Sequence, residues 1–196
     1  MFILDQQSSI ASHYLAEIRD KEIQKDRLRF RVNMKRLGFL LAYEISKKLT
    51  YKAKTISTPL TNTQGEILKD DLVIVSILRA AIPFAQGFQE VFDGADFGFI
   101  GAARQENDAE EGVSVNLDYL ATPDLNQKVV IIVDPMLATG KSLVQSIDKL
   151  MENGKPRSLH IATAIAAPEG VNYLQDYLST AYNLWSCALD EKLNEK

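Results

Sequence analysis

With 196 residues, 46% apolar and 24% charged, the chain has the composition of an ordinary globular domain with a substantial core. Its net charge of −4 argues against bulk attraction to nucleic acid, so an anionic ligand must be met by locally placed cations or a divalent metal. The apolar runs fall far short of the roughly 18–20 residues of a membrane span. The first seven residues lack the regions of a signal peptide, and one cysteine, Cys187, fits a reducing cytoplasm.

Residues 8–49 read as helical. Ser8 or Ser9 is placed to cap a segment with Ile10, Tyr14, Leu15 and Ile18 at helical spacing. A charged stretch over 19–27 leads to a second segment, where Phe30, Met34, Leu37, Leu41 and Ile45 form one stripe. Arg31, Lys35, Glu44 and Lys48 lie off it. The basic residues Lys25, Arg27, Arg29, Arg31, Lys35 and Arg36 suit a solvated helix face, with an RNA or subunit contact as the alternatives.

From 51 to 68 the pattern predicts short strands around a turn-rich loop at 61–65. Residues 72–78, LVIVSIL, read as a buried strand. Arg79 follows, and Pro83 stands where a first helical turn accepts it, with Phe84, Phe88 and Val91 continuing on one face. A third strand is expected over 97–100. The polar stretch 101–112 then reads as a mobile loop, and alternation over 113–120 suggests a β-arm or lid.

The run Val129-Val-Ile-Ile-Val133 predicts a strand buried on both faces, as in a parallel sheet. It stops at Asp134, and the loop Ala138-Thr-Gly-Lys-Ser142 leads into a helix ended by Asn153-Gly154. A further strand is expected over 159–165, a helix from 166 to about 178, and a last strand at 181–185 that closes the sheet. Strands alternating with helices define a single α/β domain over 1–196. Its mostly parallel twisted sheet is flanked by helices, with an N-terminal helical extension and the β-arm or lid.

Parallel sheets place ligands at the carboxyl ends of their strands. A loop of Thr, Gly, Lys and Ser entering a helix offers backbone N–H groups, hydroxyls and a cation, which together suit a phosphate. Gly140-Lys-Ser142 matches the end of the nucleotide-binding P-loop, but that motif's first glycine would fall at Pro135. Proline donates no N–H, so the P-loop nest cannot form there. Asp134 ahead of the loop suits the vicinal hydroxyls of a sugar phosphate, although an aspartate that merely caps the turn has the same position.

The segment Val133-Asp-Pro-Met-Leu-Ala-Thr-Gly140 resembles the phosphoribosyl pyrophosphate loop of the type I phosphoribosyltransferases, specifically their uracil branch. Ile77-Leu-Arg-Ala80 is similar to that family's pyrophosphate loop. Tyr43-Glu44, Ala166-Ala-Pro-Glu-Gly170 and Leu193-Asn-Glu195 are similar as well, so the likeness covers nearly the whole chain. The resemblance implies transfer of the 5-phosphoribosyl group to N1 of uracil, giving UMP and pyrophosphate in pyrimidine salvage. It implies that Asp134 binds the ribose hydroxyls and that Ala138, Thr139, Gly140, Lys141 and Ser142 hold the 5-phosphate, with Pro135, Met136 and Leu137 completing the loop. Arg79 and Arg104 would clamp the pyrophosphate with Mg2+. For each arginine a plain solvated role is the competing reading, more so for Arg104 in its expected loop. The resemblance further implies a homodimer or homotetramer and, in some relatives, activation by GTP.

Two departures stand out. The family's loop usually reads Thr-Gly-Gly-Ser, whereas this chain has Thr139-Gly-Lys-Ser142; a lysine there costs about 1 kcal/mol if the position needs positive φ. In the family, Leu-Asn-Glu precedes a hood that recognises the base through its backbone, whereas this sequence stops at Lys196. The expectation is a chain lacking its base-selecting residues, either truncated or processed. The alternative from another class is an RNA-binding regulator on the same fold, motivated by the basic cluster at 25–36.

Overall fold

The computed structural model describes residues 1–105 and 114–192. An eight-stranded sheet forms the centre. Its strands are β1 (Phe2–Ile3), β4 (Leu72–Leu78), β5 (Asp96–Gln105), β6 (Ser114–Ala121), β7 (Val129–Val133), β8 (Met136–Leu137), β9 (Ser158–Ala166) and β10 (Asn183–Leu189). They lie in the order β1-β10-β9-β7-β4-β5-β6, with β8 pairing β9, and every pairing is parallel except β5 with β6. The last strand therefore does not close the sheet as expected. The two residues of β1 pair beside it and form the edge, a strand too short to show periodicity.

The alternating faces of the strands explain their unbroken apolar runs. Leu72, Ile74, Val129, Ile131 and Val133 pack with α1 (Ile10–Arg19), α2 (Arg27–Ser46) and α3 (Ile82–Val91). Val73, Val75, Ile77, Val130 and Ile132 pack on the other face against α4 (Lys141–Met151) and α5 (Pro168–Tyr177). All five residues of β7 are buried as a result.

Ser9 caps α1 through its hydroxyl, and Asp26 caps α2 by accepting the N–H groups of Leu28 and Arg29 at 3.0 Å. The two helices are joined by the buried Glu17, which accepts from Arg29 and, at 2.6 Å, from Asn33. These hydrogen bonds, Arg29 first, hold its carboxyl down to about 2. At Gly38 and Gly87 the backbones of α2 and α3 touch, and a Cβ on either would collide with the other helix.

The strands β2 (Tyr51–Ser57) and β3 (Asn62–Leu68) form a separate antiparallel ribbon with almost every residue outside the core. Its turn lies at 58–61, not at 61–65 as predicted. Pro59 pre-sets the turn, and Thr58 Oγ1 accepts from the N–H groups of Leu60 and Thr61 at 3.3 and 3.1 Å. Gly65, read as a loop residue, instead pairs with Lys54 within the ladder.

On the sheet's opposite edge from the strand ends, His160 (3% exposed) accepts from Trp185 Nε1 at 3.1 Å, and Phe2 packs against the same indole at 5.2 Å. Burial pushes the imidazole down to about 4. Nearby, Asp70 bonds the N–H of Thr50 at 2.8 Å and pairs with Arg157 at 2.7 Å. Burial pushes its carboxyl up, and these two partners outweigh that, leaving the net shift downward.

Candidate active site

The chain reverses its direction of travel across the sheet between β4 and β7. From β4 it proceeds outward to β5 and β6, then returns to β7 on the other side of β4 and moves on to β9 and β10. A crevice forms at the carboxyl ends of strands around such a point. Arg79 directly follows β4 and Asp134 directly follows β7. Ser76 lies opposite Val133 in the register, so the two side chains emerge from neighbouring strands on the same edge. Asp134 is half-buried; Arg79 is exposed and forms no ion pair with another described residue. The Leu78–Arg79 peptide is cis.

Beyond Asp134 the chain stays bound to β9. The Asp134 N–H donates to Ala162 O at 3.0 Å, and Pro135 O accepts from both Ala164 and Ile165 at 3.1 and 3.0 Å. Met136 and Leu137 then pair with Ile165 and Ala166 as β8, and Ala167 N–H donates to Leu137 O at 2.8 Å. Pro135 and Leu137 are buried, so within the expected binding segment they supply support and backbone while Met136 points outward.

Ala138, Thr139 and Gly140 carry the chain into α4. Gly140 adopts φ 79° and is the N-cap of α4, with no side chain to accept a hydrogen bond. The first-turn amides of Lys141, Ser142 and Leu143 have no acceptor one turn earlier in the helix, and with the positive end of the helix dipole they offer an anion site. The N-caps Ala81 of α3 and Ala167 of α5, on the same edge of the sheet, also lack capping side chains. The positive φ falls on Gly140 and not on Lys141, which is the first helical residue. The lysine thus carries no backbone penalty, and its exposed ammonium is added at the helix start.

The loop rests on the start of α5. A Cβ on Gly140 would stand 2.9 Å from Gly170 O, and a Cβ on Gly170 would stand 2.5 Å from Ala138 O and 2.9 Å from the Leu137 side chain. Two segments separated by thirty residues, each noted for a resemblance, are therefore one structure. Gly170 was not among the expected site residues. Its only sequence signal was the motif Ala166-Ala-Pro-Glu-Gly170, because periodicity does not report a backbone approach. Tyr173, one turn further along α5, also borders Gly140 and stacks on Tyr177 at 4.3 Å.

Arg104 is not in a loop. Residues 102–105 extend β5 beyond its pairing with β4, and there Arg104 pairs with Val115 of β6. A β-bulge between Gly101 and Ala102 marks where this ribbon leaves the sheet. The sequence Gly-Ala-Ala-Arg-Gln over 101–105 has no alternation of apolar and polar residues to mark this ladder. The rest of the expected loop, 106–112, and the Leu193-Asn-Glu195 motif lie outside the described residues.

The basic cluster of α2 is largely internally satisfied. Lys25 pairs with Glu22, Arg29 with Glu17 and Lys35 with Glu90, while Arg36 bonds Asn33 Oδ1 and lies 5.0 Å over the Tyr14 ring. Charges held this way favour a structured helix surface over an RNA-binding track.

The family model described as uracil phosphoribosyltransferase matches residues 5–196. The chain belongs to the uracil phosphoribosyltransferase family. It is similar to the uracil phosphoribosyltransferase of Porphyromonas gingivalis, with 38% identity over 98% of this chain and 88% of the relative. The Pyrococcus furiosus enzyme of the same name is 34% identical over 93% of this chain and 77% of its own length. Among solved structures, a protein of Aquifex aeolicus superposes with a TM-score of 0.87 at 30% identity, covering 100% of this chain and 90% of that one. A purine phosphoribosyltransferase of Pyrococcus horikoshii has a TM-score of 0.53 at 20% identity over 81% of this chain and 83% of its own, which bears on the fold alone.

The sheet edge thus carries a carboxylate, Asp134, a helix start without a capping side chain, and a cation, Lys141. Among the described residues no three His, Cys, Asp or Glu side chains converge on one point. Mg2+ keeps several waters and commonly binds through one or two carboxylates together with substrate phosphates, so this donor set fits a metal carried by the substrate. No helix of the described residues is long and apolar enough to cross a membrane.

Proposed function

We infer that the protein transfers the 5-phosphoribosyl group from phosphoribosyl pyrophosphate to N1 of uracil, giving UMP and pyrophosphate. The observation that carries this reading is the joined unit of Asp134, the Gly140 loop and the α4 N-terminus, set beside Arg79 at the sheet's reversal point. In the reaction the C1–oxygen bond to pyrophosphate breaks, a C1–N1 bond forms, and the proton on N1 is released. Positive charge develops on the sugar and negative charge on the leaving group, so prepositioned charge is the main resource.

Asp134 takes the ribose hydroxyls as hydrogen-bond donors and fixes the sugar. The loop residues Ala138, Thr139, Gly140, Lys141 and Ser142 hold the 5-phosphate through their N–H groups, the two hydroxyls and the lysine ammonium. Arg79 meets the pyrophosphate, each charge-assisted contact contributing roughly 1.5–3 kcal/mol. Arg104, on the β5–β6 ribbon, is assigned the second pyrophosphate contact. A bound Mg2+ would supply charge neutralisation to the leaving group, and Asp134 is the carboxylate that would help to hold it. The reading includes a cytoplasmic homodimer or homotetramer and activation by GTP.

The test is pyrophosphate release from phosphoribosyl pyrophosphate and Mg2+ over a panel of bases. Uracil is expected to support turnover and hypoxanthine and orotate are not. Turnover with either of those and none with uracil overturns the base assignment.

A further inference from the structure

On the side of Asp134 away from Arg79, three strands end level with one another. Ala166 of β9 lies in register with Leu137 of β8 on one side and with Leu189 of β10 on the other. Backbone bonds tie this rim together, Ala167 N–H donating to Leu137 O at 2.8 Å and Asp190 N–H to Ala166 O at 2.9 Å. In the transfer reaction the base attacks C1 opposite the bond that breaks, because the two bonds need aligned orbitals. With the sugar on Asp134 and the pyrophosphate towards Arg79 and β4, the base approaches from the β9 and β10 side. The rim of Leu137, Ala166 and Leu189 is the sheet edge on that side.

The two ends of that rim are supported differently. The inner end is backed by the packing of the Gly140 loop on Gly170. At the outer end β1 pairs only with Trp185 and Ser186, so past Ser186 no described strand lies outside β10. Leu189 is 41% exposed there. Support comes instead from Asp190, which directly follows β10 and pairs with Arg19, a residue 171 positions earlier. Arg19 stands on a braced corner. It lies in the last turn of α1, where a cation is favoured by the helix dipole. Asp20 beyond it accepts the N–H groups of Glu22 and Ile23 at 2.8 and 3.0 Å, and Glu17 ties α1 to α2 through Arg29 and Asn33.

We propose that Arg19 and Asp190 are positioning residues for the base, their ion pair holding the end of β10 against the α1 corner so that Leu189 stays level with Ala166 and Leu137. The inference rests on the transfer reading given above, and neither residue belongs to the Gly140 loop or the Arg79 turn. A role in folding alone does not account for the pair. Its side chains are 35% and 45% exposed, and ion pairs in that setting contribute little to stability. What the contact supplies is geometry, because it joins the strand end that lacks an outer neighbour to helices fixed elsewhere. A displacement of about 1 Å at a reactant-positioning surface is enough to impair reaction. The phosphate contacts keep their own supports in the Gly140 loop and the Arg79 turn, so the effect falls on the base alone.

Arg19→Ala, Asp190→Asn, the double variant and Arg19→Lys are compared with the parent in steady-state kinetics, with uracil and phosphoribosyl pyrophosphate varied in turn. Each of the first two should raise the KM for uracil about 5- to 20-fold and leave that for phosphoribosyl pyrophosphate within about twofold. Melting temperatures should stay close to the parent's. The double variant should be no worse than either single one, as expected of two residues acting through one contact. Arg19→Lys keeps the charge and should stay near the parent. Hydrogen exchange gives a readout that needs no turnover: in Arg19→Ala the Asp190 amide should exchange faster, with the amides of β7 unchanged. A parent that turns over no uracil overturns the transfer reading, and the exchange result then decides whether the pair holds the end of β10. An unchanged KM for uracil, an equal rise in both KM values, additive effects of the two substitutions, or unchanged exchange at Asp190 overturns the proposal.

Discussion

Gly140 and Gly170 lie where two segments of backbone meet: Gly170 fills the space a side chain on Gly140 would need, and Ala138 O with the Leu137 side chain fills the space a side chain on Gly170 would need. Through this contact the end of β9 and the start of α5 support the loop that follows Asp134. The loop's shape is therefore set by packing beneath it, and its N–H groups stay available above. Gly170→Ala should push Ala138 and Leu137 out of place, because the added Cβ meets a carbonyl at 2.5 Å. The expected result is a KM for phosphoribosyl pyrophosphate raised at least about 10-fold, with stability lowered by roughly 1–3 kcal/mol from overpacking. Steady-state kinetics and urea unfolding check the two effects separately.

Asp134→Asn and Arg79→Ala should each lower kcat/KM by about 10- to 100-fold, the size of a charged contact made in the transition state. Neither side chain is buried in the core, so melting temperatures should change little. Parent-like turnover in either variant removes that residue from the site.

Lys141 starts α4 with an exposed ammonium. Lys141→Gly restores the loop usual in the family. It should raise the KM for phosphoribosyl pyrophosphate several-fold, with little change in kcat, and flatten its dependence on salt. A KM unaffected at low ionic strength would show that the ammonium makes no contact with the phosphate.

Two buried groups make the fold sensitive to acid. His160 is held neutral, with its proton affinity lowered from 6.5 to about 4, so the unfolded chain binds the extra proton first. Stability from this group is complete above pH 6.5 and is lost as pH falls towards 4, with a slope of up to roughly 1.4 kcal/mol per pH unit. Glu17 is lowered from 4.5 to about 2 by Arg29 and Asn33, and its contribution is lost on acidification through that lower window. Urea unfolding between pH 4 and 7 should show the first loss, and His160→Gln should flatten it.

The central layout was readable because buried parallel strands write long apolar runs. Residues 72–78 and 129–133 showed both faces at once, and Asp134 marked where the second strand ends. What stayed hidden had no periodic signature. β1 is two residues long, residues 102–105 of β5 pair with β6 without an alternating sequence, and the turn at 58–61 depends on one threonine side chain. The pairing of Gly140 with Gly170 is a tertiary contact between backbones, which only folding brings together. For Lys141 the sequence left φ open, and the helix start decided it.

The most direct measurement is formation of labelled UMP from labelled uracil, phosphoribosyl pyrophosphate and Mg2+ by the purified protein, with Asp134→Asn alongside. UMP should appear in step with pyrophosphate for the parent and fall about 10- to 100-fold for the variant. Pyrophosphate release without labelled UMP, or equal UMP formation by the variant, would contradict the account.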